Sequence, residues 1–197
     1  SFGWEIPAQQ YGGFTADFGS TLFDDNRERI LETNIDLPWD LEIEQDLTLN
    51  NGNLNLNGYT LTVDGDLIHA GGTLTISNGT LIVHGNYRMQ SLDQGRYGDS
   101  TGVLNMTKSD GSVQVDGDFI IQSKAASHSV SSGTVRIKGN SVQYNPNDGT
   151  ASFNSGTGCK FIFPEGYTHT LSFADATNNS IGWLYMDTPV TALTDVT

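Results

Sequence analysis

The sequence predicts an all-β fold, a right-handed parallel β-helix whose coils are about 20–22 residues long. Three observations support this prediction: a recurring phrase, its nearly constant spacing, and short alternating strands between glycine-rich corners. The phrase reads apolar, any, apolar, any, Gly, Asp or Asn, apolar. It occurs at 61–67, 81–87 and 113–119, with weaker copies at 41–47 and 135–141.

The spacing of the phrase sets the coil length. Its fifth position falls at 45, 65, 85, 117 and 139, so the steps (65−45, 85−65, 117−85, 139−117) are 20, 20, 32 and 22 residues. A period near 20 with alternation inside each unit is typical of a solenoid, and it suits a right-handed β-helix better than the shorter hexapeptide kind. The step of 32 leaves room for an insertion, which we place at 91–101.

One unit, 61–79, shows what a coil contains. Three short alternating stretches are separated by turns at 65–66, 70–72 and 77–79, which predicts three strands per coil. Glycine, Asn and Asp suit the left-handed backbone that we expect at such corners. Stacked coils align apolar residues into inward columns, and each coil depends on its neighbours to bury them. The predicted columns are Ile43, Val63, Val83, Val115, Ile137 and Leu47, Leu67, Tyr87, Phe119.

The two ends of the chain differ. Residues 1–40 carry aromatic residues without the 20-residue period, and 21–31 resembles a short helix with Thr21 as its N-cap. We therefore predict that 1–40 is an N-terminal cap that covers the open edge of the first coil. Residues 41–197 form the β-helix of the same structural domain.

The composition excludes several partners. The net charge is −14 and the nine Lys and Arg residues are scattered, whereas nucleic acids and anionic membranes require clustered basic residues. No apolar run reaches the 18 residues that a transmembrane helix requires. The only cysteine, Cys159, lies in an alternating run and is predicted to be a buried apolar residue.

Catalytic and metal-binding patterns are weak. Glu44 and Asp64 should lie about 5 Å apart on adjacent coils, the separation of a retaining glycosidase pair, but a solvated polar face is the favoured interpretation. The corner column Asp46, Asp66, Asn86, Asp118, Asn140 offers oxygen ligands for Ca²⁺, although these residues are also ordinary corner residues. The four histidines lack metal-ligand spacing. We predict no catalytic residue, no metal ligand and no required cofactor, and Ca²⁺ stays open.

Three polar loops follow the same strand of successive coils. They span 91–101, 123–132 and 144–157, so stacking should gather them at one corner, beside a flat face. Aromatic rings stack on sugar CH groups, and amide or guanidinium donors bind hydroxyls. The predicted ligand-binding residues at this corner are Arg88, Gln90, Arg96, Tyr97, Gln122, Lys124, His128 and Tyr144. Trp39, Trp183 and Tyr185 are alternative aromatic platforms.

Four segments, at 54–90, 102–123, 128–140 and 171–186, carry a resemblance. The first reads LNLNGYTLTVDGDLIHAGGTLTISNGTLIVHGNYRMQ. Across 47–186 the chain resembles repeat segments of large secreted and cell-surface proteins of anaerobic, polysaccharide-degrading bacteria. The resemblance implies a parallel β-helix in an extracellular setting, beside adhesion, spacer or carbohydrate-active modules. Carbohydrate-binding modules built on a β-helix are known in that setting. No catalytic motif can be carried over.

These observations lead to one expected function and two alternatives. We expect a secreted, monomeric, non-catalytic carbohydrate-binding module within a larger multimodular protein, which recognises a polysaccharide or oligosaccharide of the plant cell-wall type, with xylan as the best candidate. The first alternative is a structural stalk or adhesin repeat that binds no sugar. The second is a β-helix polysaccharide lyase or glycoside hydrolase, in which Arg88, Arg96 or Lys124 would supply the basic residue.

Overall fold

The fold is a parallel β-solenoid, as predicted. The structure, a computed structural model, describes residues 29–125, 128–146, 153–175, 179–187 and 190–192. These residues form 20 strands and no helix. None of their segments is a helix long and apolar enough to cross a membrane. The strands are β1 (Arg29–Leu31), β2 (Ile35–Asp36), β3 (Leu41–Ile43), β4 (Leu47–Leu49), β5 (Asn53–Asn55), β6 (Thr60–Val63), β7 (Leu67–His69), β8 (Thr73–Thr75), β9 (Thr80–Val83), β10 (Tyr87–Asp93), β11 (Arg96–Asp99), β12 (Val103–Met106), β13 (Ser112–Val115), β14 (Phe119–Ile121), β15 (Ser129–Ile137), β16 (Ser141–Gln143), β17 (Ser155–Phe163), β18 (His169–Phe173), β19 (Trp183–Met186) and β20 (Val190–Ala192).

Three faces repeat along the stack. Face A contains β3, β6, β9, β13, the second parts of β15 and β17, and β19. Face B contains β1, β4, β7, β10, β14, β16, β18 and β20, in that order. Face C contains β2, β5, β8, β12 and the first parts of β15 and β17. Strands within each face are parallel and come from successive coils, which is the solenoid arrangement.

The predicted inward columns are confirmed by the strand register. Val83 is paired with Val63 on one side and with Val115 on the other. Tyr87 is paired with Leu67 and Phe119 on face B. All six side chains are at most 1% exposed, and each such burial stabilises the fold by roughly 1.5–3 kcal/mol. The core is therefore a stack of apolar layers contributed one coil at a time.

The beginning of the chain differs from the prediction. Residues 29–40, assigned to the cap, already belong to the solenoid, because β1 pairs with β4 and β2 pairs with β5 in coil register. Arg29–Leu31 is a strand and not the end of a helix. The remainder of the predicted cap and helix, residues 1–28, lies outside the described residues. Ile30 and Leu31 are only two residues, and a pattern this short does not distinguish a strand from the end of a helix.

A ladder of Asn and Asp side chains connects the coils at the corner between faces A and B. The Asp66 carboxylate accepts a hydrogen bond from the backbone N–H of Asn86 at 2.7 Å, and the Asn86 side-chain oxygen accepts one from the N–H of Asp118 at 2.9 Å. Asp118 in turn accepts from the N–H of Asn140 at 2.7 Å. Each side chain thus satisfies a backbone donor of the next coil, and the amide of Asn86 also donates to Asp66. From Asp66 to Asn140 the Asp and Asn side chains alternate, which removes repulsion between stacked carboxylates in that part of the ladder.

The corner glycines are required by close stacking and not by a left-handed backbone. A Cβ on Gly85 would lie 2.5 Å from Asp66 Oδ1 and 2.6 Å from the carbonyl carbon of Gly65. A Cβ on Gly117 would lie 2.7 Å from both Asn86 Oδ1 and the Gly85 carbonyl oxygen. The expectation of left-handed backbone at this corner was wrong, since the described glycines with positive φ lie elsewhere. A side chain at the glycine position would separate the coils and break the ladder.

A buried histidine lies beneath the corner between faces B and C. His69 Nδ1 lies 3.0 Å from the Tyr87 hydroxyl and Nε2 lies 3.3 Å from the carbonyl oxygen of Gly72. Burial raises the pKa of Tyr87, so its hydroxyl keeps the proton and donates to Nδ1 while Nε2–H donates to Gly72. Burial, reinforced by repulsion from His128 and opposed by the Gly72 hydrogen bond, lowers the pKa of His69 to about 4. The folded state therefore holds His69 neutral.

Gly85→Ala should destabilise the solenoid strongly, because the new methyl group would push apart two hydrogen-bonded coils. Overpacking of this kind costs about 1–3 kcal/mol, measured as a lower urea midpoint. Gly98→Ala is the matched control, since a Cβ there would meet only the Ser91 hydroxyl at 3.1 Å. Equal midpoints for the two variants would contradict the stacking explanation.

Stability should fall as the pH is lowered from about 6.5 to about 4. His69 has a pKa of about 4 in the folded state, below its ordinary value of 6.5, so the unfolded chain binds more protons in that window. The loss for this one group reaches roughly 3 kcal/mol and is complete below pH 4. His69→Gln should be less stable at neutral pH but should lose less between pH 6.5 and 4, measured by urea unfolding at a series of pH values. Parallel pH profiles for the two proteins would overturn this assignment.

Candidate functional site

The predicted insertion is a β-hairpin. β10 continues past the core as far as Asp93 and pairs antiparallel with β11, so that Gln90 lies opposite Asp99 and Asp93 lies opposite Arg96. The two residues at its tip, Gln94 and Gly95, have φ values of 48° and 76°. Left-handed values at both positions are those of a type I′ turn, which matches the twist of paired strands. The prediction of an insertion here is confirmed, but its form as a loop was wrong.

The hairpin packs onto face B through Arg88. The Arg88 Nε donates to the Asp66 carboxylate at 2.9 Å, and the guanidinium lies 4.4 Å from the centroid of the Tyr97 ring. The Arg88 and Asp66 side chains are each 20% exposed. Ionic and cation–π contacts therefore hold one aromatic ring of the hairpin against the stack. Tyr97 itself remains 44% exposed.

A second chain of polar contacts joins the hairpin to the next coil. The Gln90 side-chain amide donates to the Gln122 oxygen at 2.8 Å, and the Gln122 amide donates to Asp99 at 2.9 Å. Lys124 Nζ lies 3.1 Å from the other Asp99 oxygen. Asp99, on β11, is therefore the anchor that both Gln122 and Lys124 bind. We call Arg88, Gln90, Tyr97, Asp99, Gln122 and Lys124 the hairpin cluster.

Three predicted site residues lie outside this cluster. Arg96 is exposed near the hairpin tip. Tyr144 is 48% exposed and extends the Gln122 column by one coil, since its N–H donates to the carbonyl of Ile121. His128 has partners within the protein: Nδ1 accepts from the Leu104 N–H at 3.2 Å and the ring packs on Phe153, 5.3 Å between centroids. Burial lowers the pKa of His128 to about 4, so the ring is neutral at neutral pH.

A column of polar side chains lies beside face A, on the side where Glu44 and Asp64 were predicted. His84 Nδ1 lies 2.8 Å from one oxygen of Asp116, and Lys138 Nζ lies 2.7 Å from the other. Burial alone would raise the pKa of Asp116, but the hydrogen bonds from Lys138 and His84 outweigh it and lower that pKa. Glu44 and Asp64 are both exposed on the same side. An acid/base pair needs one carboxyl in a desolvated environment, and neither residue has one.

The far end of face A carries a set of residues that the sequence indicated only as an alternative. Trp183 and Tyr185 alternate with the inward Leu184 on β19, so both rings point outward. Their planes differ by 22° and their centroids lie 6.3 Å apart. Trp183 is 52% exposed and Tyr185 is 43% exposed. Two neighbouring exposed rings of similar orientation form an aromatic platform at the surface.

Basic residues lie beside this platform. Lys160 is paired with Trp183 in the strand register, and its Nζ lies 6.0 Å from the centroid of the Tyr185 ring. Arg136 lies on the preceding coil, because Ile162 is paired with Arg136 on one side and with Tyr185 on the other. We call Arg136, Lys160, Trp183 and Tyr185 the aromatic–cation face. The sequence showed the alternation at 183–186 but not which coil would lie beside it.

The described residues contain no group of three His, Cys, Asp or Glu side chains that could hold a metal ion. The oxygens of the corner column accept hydrogen bonds from the next coil instead. Cys159 is buried, as predicted.

No protein-family model, no curated protein and no solved structure matches this chain.

Asp99→Ala should release the hairpin without unfolding the stack. Gln122 and Lys124 lose a shared acceptor, and the backbone amides of 90–99 should exchange hydrogen faster by about tenfold, the effect of losing roughly 1.4 kcal/mol of local stability. The amides of β9 and β13 should be unaffected. Asp93→Ala, an exposed residue of the same hairpin, is the control. Unchanged exchange at 90–99 would show that the anchor lies elsewhere.

Proposed function

We propose that this protein is a non-catalytic polysaccharide-binding module that binds its ligand on the aromatic–cation face. The observation that supports this most is the exposed pair of rings formed by Trp183 and Tyr185, 6.3 Å apart with planes within 22° of each other. Large rings are normally buried in a water-soluble fold, and exposed apolar clusters mark interaction surfaces. Indole and phenol rings offer apolar faces for the CH groups of a sugar and polar edges for its hydroxyls.

The rigidity of the stack favours binding. The rings stand on a strand that is paired over four residues with β17, and Leu184 between them packs against the core. A ligand therefore does not have to order the protein, and the entropic cost of association is lower than for a mobile loop. Face A continues past the rings through the paired strands of several coils, so it suits an extended polymer better than a small molecule.

The hairpin cluster is less available than the sequence suggested. The side chains of Arg88, Gln90, Gln122 and Lys124 are bound to other residues of this protein. A sugar hydroxyl would have to compete with these contacts. Tyr97 and Tyr144 remain exposed and form a secondary candidate surface within the same proposal.

The expectations about partners, location and cofactors also form part of the proposal. A net charge of −14 disfavours nucleic acids and anionic membranes. The resemblance to secreted bacterial repeat proteins supports an extracellular module of a larger protein, acting as a monomer on a cell-wall-type polysaccharide such as xylan. Binding through rings and surface cations requires neither a cofactor nor Ca²⁺.

A structural stalk is the second candidate, and the satisfied hairpin cluster favours it, since a spacer needs stable surfaces and no ligand. A lyase or hydrolase is a weaker third. Arg88 and Lys124, two of its basic candidates, are held by Asp66 and Asp99. The three functions differ in simple assays. A stalk gives no retardation on any glycan gel, and an enzyme releases reducing or unsaturated ends.

Trp183→Ala and Tyr185→Ala should each weaken binding by at least about tenfold, the effect expected when a central aromatic contact is removed. Affinity electrophoresis on xylan, mannan, cellulose and pectin identifies the glycan, and titration calorimetry measures the change. Tyr59→Ala is the matched control, because Tyr59 is 37% exposed on another part of the solenoid. Circular dichroism should be unchanged in all three variants. If Tyr97→Ala or Tyr144→Ala abolishes binding while Trp183→Ala does not, the site lies at the hairpin.

A further inference from the structure

We propose that the aromatic–cation face selects polysaccharides that carry carboxylate groups, such as uronic acid residues. This proposal rests on the proposed function and names the chemical class of its ligand. The rings supply contact with the sugar backbone, and Arg136 and Lys160 supply the recognition of charge. The net charge of −14 does not predict a preference for an anionic ligand. The proposed preference therefore comes from the local arrangement of Arg136 and Lys160 beside the rings.

The positive charges are distributed unevenly. Three of the chain's nine basic residues, Arg136, Lys138 and Lys160, belong to two adjacent coils of face A. Lys138 is bound to Asp116 at 2.7 Å. Across the part of the chain that the structure describes, neither Arg136 nor Lys160 forms an ion pair. An acidic protein that leaves two neighbouring cations unpaired beside exposed rings provides a complementary surface for an external anion.

The spacing of these groups fits a polymer that lies along the stack. Lys160 is one coil from the rings and Arg136 is two coils away, and coils stack at about 4.8 Å. Cationic groups therefore come roughly 5 and 10 Å beyond the platform. A glycan stacked on Trp183 and extended in that direction would bring its side carboxylates first to Lys160 and then to Arg136. The planar guanidinium of Arg136 can bind a carboxylate through two parallel hydrogen bonds.

The surrounding acidic groups limit which anions can bind. Asp187 is exposed at the end of β19, and Glu165 is exposed on the turn after β17. A ligand of high charge density would be repelled by these groups and by the chain as a whole. A sugar polymer first held by ring stacking places single carboxylates at the two unpaired cations. Selectivity thus needs both the stacking rings and the two cations, and charge alone is insufficient.

The test uses two pairs of polysaccharides that differ only in charge. One pair is glucuronoxylan and the same polymer after reduction of its carboxyl groups to hydroxyls, and the other is polygalacturonate and its methyl ester. Binding is measured by affinity electrophoresis and calorimetry with the whole chain. The charged member of at least one pair should bind about tenfold more tightly, the effect of one charge-assisted contact.

The variants Arg136→Gln and Lys160→Gln should each reduce that preference at least about threefold, and the double variant should abolish it while retaining Trp183-dependent binding of the neutral form. Lys108→Gln, which removes one exposed charge from a turn before β13, is the control and should keep the full preference. Circular dichroism and thermal midpoints exclude misfolding as the cause.

Three results would overturn the proposal. Equal affinity for both members of each pair, lost in Trp183→Ala, refutes the selection of carboxylates and leaves the proposed function intact. Tighter binding of dextran sulfate than of either uronate polymer shows a general polyanion surface instead. No retardation by any polysaccharide of the panel refutes the proposed function itself, and the inference with it.

Discussion

The structure depends on one constraint, the close contact between coils at the corner between faces A and B. There a backbone N–H of each coil is bound by the Asp or Asn side chain of the coil before it, as Asn86 is bound by Asp66. The neighbouring residue has no room for a Cβ, as at Gly85. These two requirements recur at Gly65, Gly85, Gly117 and Gly139, which are 20 or 22 residues apart where no insertion intervenes, and they fix the register of the strands that follow. A strand whose register is fixed at its start delivers its apolar residues to the core and its polar residues to the surface.

Much of the fold could be predicted from the sequence because that constraint repeats. The recurring phrase located the corners, and the pairing of Val63, Val83 and Val115 followed from their equivalent positions in that phrase. Where the period stops, prediction was weaker. The hairpin at 90–99 depends on the left-handed backbone at Gln94 and Gly95. A single Gln-Gly pair in the sequence does not predict that conformation. The solenoid strands at 29–31 and 35–36 also lay beyond the recognisable copies of the phrase.

The candidate site was predicted less well than the fold, for a physical reason. Sequence spacing shows which residues share a column, but it does not show which partner a polar side chain prefers. Arg88 and Gln122 were placed on the correct outward positions, yet each is bound to an acidic residue of the same protein, Asp66 and Asp99. Trp183 and Tyr185 were harder to assign, because an exposed pair of rings and the apolar cover of a solenoid end have the same alternation. The register with Lys160 and Ile162 separates the two interpretations.

Among the described residues, the side chains of the hairpin cluster are bound within the protein and those of the aromatic–cation face are not, and the stacking of coils explains this difference. A column of outward residues has partners 4.8 Å away on either side, so opposite charges or complementary amides in one column pair with each other and become unavailable to a ligand. The column that contains Asp116 and Lys138 follows this rule. The hairpin cluster does so as well. Arg136 and Lys160 lie in different columns, and Ile162 and Thr134 are their neighbours in register. Because those neighbours cannot neutralise them, the two cations stay available at the surface. Which functional groups a solenoid offers is thus decided by the composition of each column and not by the net charge of the chain.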